Sequence, residues 1–333
     1  MGLRWWLSLL GLPLLLCAAT AFFAWKWVDR PLTLGAPTAE LSIEMGTTPR
    51  EVAQAWVDAG VRTSPDFLYA WIRWSGQARR IRAGSYEVET GITPRRLLAK
   101  MVQGDEALEK VRFIEGWTLR QMRAALAQAP HLKPTTAGVN EAELMTALGA
   151  PGQAGEGRFF PDTYRYSRGV SDLTVLKRAH RSMQQRLNET WAQRAPDTPL
   201  KSADEALTLA SIVEKETGTA ADRGLVASVF VNRLRIGMPL QTDPTVIYGL
   251  GERFDGNLRK RDLLADTPYN TYTRRGLPPT PISLPGLAAL RAAVRPEASK
   301  ALYFVARGNG SSVFSENLAD HNRAVNKYQR GPP

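Results

Sequence analysis

The sequence predicts an α+β protein with three parts: an N-terminal transmembrane helix, a small α+β module and a larger, mainly helical body of mixed α/β character. Three observations carry this expectation. An uncharged apolar run occupies Trp5–Trp25. Short alternating segments then recur between capped helical ones as far as about residue 105. Beyond residue 106 helical periodicity dominates. The segments so drawn are 1–28 (anchor), 29–39 (linker), 40–105 (module) and 106–330 (body).

The 21 residues of the apolar run suffice, at about 1.5 Å per residue, to cross a hydrocarbon core of about 30 Å. Trp5, Trp6, Trp25 and Trp27 bracket it as interfacial aromatics do. A cleaved signal peptide is the competing reading. The run is longer than a usual signal core, and no A-x-A site closes it. Cys17 is preceded by Leu16, where a lipoprotein would carry a small residue. Cys17 is also the single cysteine, so no internal disulfide forms, and a cysteine-free body suits an oxidising compartment.

Residues 29–39, DRPLTLGAPTA, read as a linker rich in Pro, Gly and Thr. Leu41 and Ile43 then alternate with polar residues as in a strand. A helix from Thr48 to Ala59 opens on Pro49, and a second from Ser64 to Trp74 opens on Pro65. Arg82–Glu89 reads as a strand, and Thr93-Pro94 opens a helix that stops at Gly104. The order strand-helix-helix-strand resembles a LysM-type glycan-binding module, although periodicity alone fits any small α+β domain.

In the body, Leu108–Ile114 reads as a strand and Thr118–Gln128 as a helix. The aromatic loop Glu156–Tyr164 is either a packed turn or part of a cleft wall. Leu173–Ala192 is a long amphipathic helix, Leu302–Ala306 and Ser312–Phe314 form a hairpin, and Asn317–Arg330 is a final helix.

Net charge is +11, from 43 Lys and Arg against 32 Asp and Glu, which points to an anionic partner: nucleic acid, a membrane surface or an acidic polymer. The basic residues are scattered and no basic recognition helix is present, so nucleic acid is not expected. His131, His180 and His321 lack metal-ligand spacing. G-x-S-x-G, the P-loop and H-E-x-x-H are all missing, so neither metal nor cofactor is expected.

The segment Ser202–Gly218 carries the chemistry. Ser202 and Glu205 form an S-x-x-E capping box, and Gly218 is a stop signal. At about 100° per residue, Leu209, Ile212, Val213 and Glu216 share one face, while Glu214 and Lys215 turn away toward solvent. A carboxyl group on an apolar face is desolvated, which raises its pKa and suits it to general-acid work. The competing reading is that Glu216 reaches water at the helix end or pairs with Arg223. Downstream, Gln241, Thr242, Asp243, Tyr248, Asn270 and Tyr272 offer amides, hydroxyls and rings among stiff proline loops, a composition equally suited to binding sugars and to ordering loops. Asp243 precedes Pro244 as a helix N-cap would.

Four runs carry a resemblance: A-S-I-V-E-K-E-T (Ala210–Thr217), V-A-S-V-F-V-N-R-L-R-I-G-M-P-L-Q-T-D-P-T-V-I-Y-G (Val226–Gly249), Y-N-T-Y (Tyr269–Tyr272) and G-L-P-P (Gly276–Pro279). They resemble the endolytic murein transglycosylase family (MltG/YceG-like), over most of the chain. The resemblance implies a catalytic glutamate just before Ser/Thr, here Glu216, with Gln241, Thr242, Asp243, Tyr248, Asn270 and Tyr272 as cleft residues. It implies cleavage of the β-1,4 bond between N-acetylmuramic acid and N-acetylglucosamine, leaving a 1,6-anhydro end, without metal or cofactor. It further implies peptidoglycan glycan strands as substrate, action beside peptidoglycan synthases to end nascent strands, and a single-pass place in the bacterial inner membrane with the body on the periplasmic side. Two alternatives stay open: a hydrolase that uses Asp243 as second carboxylate, and a non-catalytic membrane-anchored glycan-binding scaffold.

Overall fold

The computed structural model describes residues 22–23 and 25–330. The expected anchor Trp5–Trp25 lies largely outside the described residues. Among the described residues no helix is long and apolar enough to cross a membrane. The chain divides into two compact units, one made of residues up to Glu109 plus Arg165–Val170, the other of Lys110–Tyr164 and the residues from Ser171 onward. The single cut drawn at residues 105/106 does not include this return at Arg165–Val170.

The first unit contains β1 (Thr33–Leu34), β2 (Thr38–Ile43), α1 (Pro49–Asp58), β3 (Val61–Arg62), α2 (Pro65–Trp74), β4 (Gly84–Glu89) and α3 (Pro94–Gln103). β2 and β4 pair antiparallel, from Thr38 opposite Glu89 to Ile43 opposite Gly84, and β1 pairs with β3. The helix starts lie where the sequence marks them. The Thr48 hydroxyl accepts from the Glu51 N–H while the Glu51 carboxylate accepts from the Thr48 N–H, and Thr93 caps α3 through the Arg96 N–H. Gly104 ends α3 at φ 74°, a conformation costly for any residue with a Cβ. Trp56, Leu68, Ile72, Tyr86, Leu97 and Met101 fill the core, each contributing on the order of 2 kcal/mol by burial. The Trp56 indole donates to the Met101 sulfur at 3.2 Å. Residues 29–39 are not a free linker. They supply β1, and Leu32, Leu34 and Ala39 are buried in this core.

The division between the units runs through β5 (Leu108–Arg112) and β6 (Thr163–Ser167). β6 was not expected from the sequence, although buried Tyr164 and Tyr166 alternate with exposed neighbours as a strand requires.

The second unit contains α4 (Leu119–Ala127), α5 (Glu141–Ala147), α6 (Asp172–Ala192), α7 (Ala203–Glu216), α8 (Arg223–Arg235), α9 (Asp243–Leu250), α10 (Lys260–Leu264), α11 (Leu287–Val294), the antiparallel hairpin β7 (Tyr303–Ala306) and β8 (Ser312–Ser315), and α12 (Leu318–Val325). α5 went unpredicted although Asn140 and Glu143 form its capping box. α7 is the central element, packed against α6, α8, α9 and α11. Every residue from Ala206 to Val213 is buried, so α7 is covered on all sides rather than along one stripe. The Ser202 hydroxyl accepts from the Glu205 N–H, but the Glu205 carboxylate accepts from Lys201 N–H instead of completing the box. The helix stops at Glu216, with Thr217 rather than Gly218 as its cap. The last helix is shorter than expected, passing into a π-helical turn at Asn326–Arg330.

Candidate active site

Because α7 is enclosed, its polar residues serve as attachment points. The Ser211 hydroxyl accepts from the Ile282 N–H at 3.0 Å, and the Ser283 hydroxyl donates to the Ser211 carbonyl at 3.0 Å. One turn later Glu214 accepts from the Gly286 N–H at 2.9 Å. The helical wheel predicts Glu214 to be the more exposed of the two carboxylates. It is instead half-buried, and burial raises its pKa, opposed by the Gly286 hydrogen bond and reinforced by the charge of Glu115. The reason is that α7 is covered on all sides, so the direction away from its apolar face leads into packing and not into water.

Glu216 ends the helix at the edge of a cavity of about 480 Å³. Gln241, Asp243 and Tyr272 line the same cavity, together with Arg233, Tyr303 and His321. The Thr242 hydroxyl donates to Glu216 Oε1. Thr242 is itself held in place: its N–H donates to the Thr271 hydroxyl at 3.1 Å, and its carbonyl accepts from the Thr245 hydroxyl at 2.8 Å. Burial pushes the Glu216 pKa above the ordinary carboxylate value. The Thr242 hydrogen bond pulls it down, the Asp243 charge raises it further and the Arg233 charge lowers it.

Thr242, not Asp243, occupies the N-cap position of α9, and its side chain makes no cap bond. The reason is chemical: its hydroxyl proton is given to Glu216. Asp243 lies in the first helical turn and its Oδ1 accepts from the Tyr272 hydroxyl at 2.5 Å. Burial, then that hydrogen bond, raise the Tyr272 pKa, so the phenol stays protonated as a donor. Gln241 has φ 51°, in the left-handed region that a side chain rarely adopts. Such strain recurs where a structure must aim a group at a site.

Two expected cleft residues lie elsewhere. Asn270 is fully buried: its amide donates to the carbonyls of Leu263 and Ala265, and its carbonyl oxygen accepts from the Tyr272 N–H at 2.9 Å. It therefore shapes the loop that presents Tyr272 rather than the cavity wall. Tyr248 packs edge-on against Tyr269, with centroids 4.9 Å apart, and donates to Glu156 at 3.2 Å.

Arg233 was missed by sequence reasoning. It is buried, with Nε donating to the Leu302 carbonyl and Nη1 to the Leu240 carbonyl, both at 2.7 Å. Its guanidinium lies 5.2 Å from the Tyr303 ring centroid, and Tyr303 stacks on His321. The local signal for Arg233 was a charge at i+3 and i+7 from the apolar Phe230 and Val226 of α8. Tyr303 and His321 had no local signal. The arrangement as a whole offers a partly desolvated carboxyl group whose pKa is raised, a fixed cation near it, and a hydrogen-bonded Asp–Tyr pair lining the same open cavity. That is equipment for acid catalysis on a polar substrate.

The model of the YceG-like family matches residues 41–327. An endolytic murein transglycosylase of Bacillus subtilis is 32% identical over 87% of this chain and 85% of its own length. An endolytic murein transglycosylase of Streptococcus pneumoniae is 26% identical over 95% of this chain, which spans 63% of that longer relative. A crystal structure of a YceG-like protein from Listeria monocytogenes superposes with a TM-score of 0.55 at 27% identity, covering 86% of this chain and 98% of that one.

Proposed function

Since this chain belongs to the YceG-like family, we propose that it is an endolytic lytic transglycosylase of peptidoglycan, with Glu216 as its general acid and base. The observation that carries the reading is the carboxyl of Glu216, its pKa raised by burial and its side chain opening on the cavity. Its proton passes to the glycosidic oxygen between N-acetylmuramic acid and N-acetylglucosamine as the C1–O bond breaks. The 6-hydroxyl of the muramic acid then attacks C1 and gives its proton to the Glu216 carboxylate. The bond formed closes the 1,6-anhydro ring, and the acid is restored without water. Arg233 favours the transient carboxylate and Asp243 favours its reprotonation. Gln241, Asp243 and Tyr272 are the sugar-facing groups, with Thr242 holding the acid.

The strand-helix-helix-strand order of the first unit supports a LysM-like glycan-binding role for residues 40–105. The apolar run Trp5–Trp25 supports a single-pass inner-membrane anchor with both units in the periplasm. An anchored site reaches glycan close to the bilayer, where synthases release it, and so ends nascent strands.

The test is mass spectrometry of products from uncrosslinked glycan. The expected products carry 1,6-anhydro ends, and Glu216→Gln yields none. Because Asp243 shares the cavity, water activated by that carboxylate is the competing route. Reducing ends in place of anhydro ends would establish it and overturn the transglycosylase reading.

A further inference from the structure

Helix α2 has two apolar faces where a surface helix needs one. Leu68 and Ile72 are buried in the first unit's core. On the outside, Phe67, Ala70 and Trp74 lie at the i, i+3, i+7 spacing of a single helical stripe, and half-buried Trp71, whose indole donates to the Pro94 carbonyl at 3.2 Å, backs it from the core side. Phe67 is 63% and Trp74 66% exposed, a large aromatic surface to leave in water. The Trp74 ring sits edge-on to Trp71 with centroids 6.3 Å apart, and the Arg95 guanidinium covers Trp71 at 5.6 Å. Arg73 adds an exposed cation beside the stripe.

What covers this stripe follows from where the chain comes from. The uncharged run of the sequence ends at Trp25, and by Val28 the chain is buried, with 2% of that residue exposed. Asp29 accepts two bonds from Arg95, at 2.7 and 3.0 Å, so the chain joins the first unit within a few residues of Trp25. Trp27 lies between, its ring edge-on to Phe67 with centroids 6.0 Å apart. From Trp25 to Trp27 the chain covers at most about 7 Å. A run that crosses the bilayer therefore delivers Phe67 to the depth of the headgroups.

We propose that the outward stripe of α2, Phe67 and Trp74 backed by Trp71 and flanked by Arg73, is an interfacial membrane-contact surface that seats the first unit on an anionic bilayer. Rings of this kind rest at the headgroup level, and arginines beside them meet lipid phosphates. The stripe thus fixes the orientation of the module, where the anchor alone would leave it free to swivel. This inference rests on the anchor in the proposed function.

The experiment reconstitutes the full chain in phosphatidylethanolamine and phosphatidylglycerol vesicles, with an environment-sensitive fluorophore on Trp74→Cys in a Cys17→Ser background. Flotation with the vesicles reads the anchor. Quenching by lipids that carry a nitroxide at headgroup depth reads the stripe. The expected result is flotation with at least a twofold loss of emission, and the same loss from a label on Phe67→Cys. A chain that floats with emission unchanged overturns the stripe while leaving the anchor intact. A chain that does not float overturns the anchor, and the stripe with it. If soluble glycan strands, rather than lipid, shield the label from iodide, the stripe is a sugar platform and the proposal fails.

Discussion

Two glutamates flank α9, Glu156 buried and Glu216 half-buried, and the two differ in what they can do. Just before α9, Thr242 donates to Glu216, and in its second turn Tyr248 donates to Glu156. Burial raises both pKa values, that of Glu156 to about 7. Glu156, however, is 5% exposed and accepts from the Leu119 N–H at 2.9 Å, from the Gly157 N–H and from the Tyr248 hydroxyl. Its oxygens are occupied by the start of α4, by its own loop and by α9. Glu216 opens on a cavity. Desolvation alone therefore does not single out an acid catalyst; access to a substrate oxygen does.

The largest expected effect tests that distinction directly. Glu216→Gln removes the transferable proton and lowers strand cleavage by about 10³-fold or more, with an unchanged circular dichroism spectrum. Glu156→Gln keeps cleavage within about tenfold of the parent, because a carboxamide still accepts from Leu119 and no substrate proton passes through it. Equal losses from the two substitutions, measured as release of soluble muropeptides, would erase the difference between the sites.

The next effect is on stability. The Glu156 pKa is about 7 in the folded chain against an ordinary 4.5. Between those values the folded state keeps a proton that the unfolded state has released. Stability therefore falls as pH rises through that window and is level above it, with a total loss of up to roughly 3 kcal/mol. Urea unfolding of Glu156→Gln between pH 4 and 8 is expected to lack this component. A slope identical to the parent's would assign the pH dependence to another group.

The same contrast explains what could be read in the sequence. α1, α2 and α3 were legible because each start is marked locally, at Thr48-Pro49, Ser64-Pro65 and Thr93-Pro94. β1 was not, because the Pro and Gly around it outweighed the alternation of Leu32 and Leu34. Glu216, Gln241, Asp243 and Tyr272 were legible as one set through the motifs that carry them, and the fold brings them to one cavity. Arg233, Tyr303 and His321 complete that cavity from α8, β7 and α12, and only tertiary packing brings those elements together. Glu156 was visible within its loop, but its partners Leu119 and Tyr248 are 37 and 92 residues away, so nothing local distinguished a sealed carboxylate from a reactive one.

The smallest effect concerns the two neighbours that tune Glu216 in opposite directions. The Thr242 hydroxyl favours the carboxylate, and the Asp243 charge disfavours it. Thr242→Val removes a donor to a charged form, so the Glu216 pKa rises and the alkaline limb of the kcat/KM profile moves to higher pH. Asp243→Asn removes a like charge, so the same limb moves to lower pH. Thr245 and Thr271 still bond to one another at 2.9 Å in the first variant, which limits its cost in stability to about 1 kcal/mol. Shifts of opposite sign from adjacent residues are hard to obtain from general loosening, which would move both limbs alike. If both variants shift the limb the same way, the proton that leaves in that limb is not the one on Glu216.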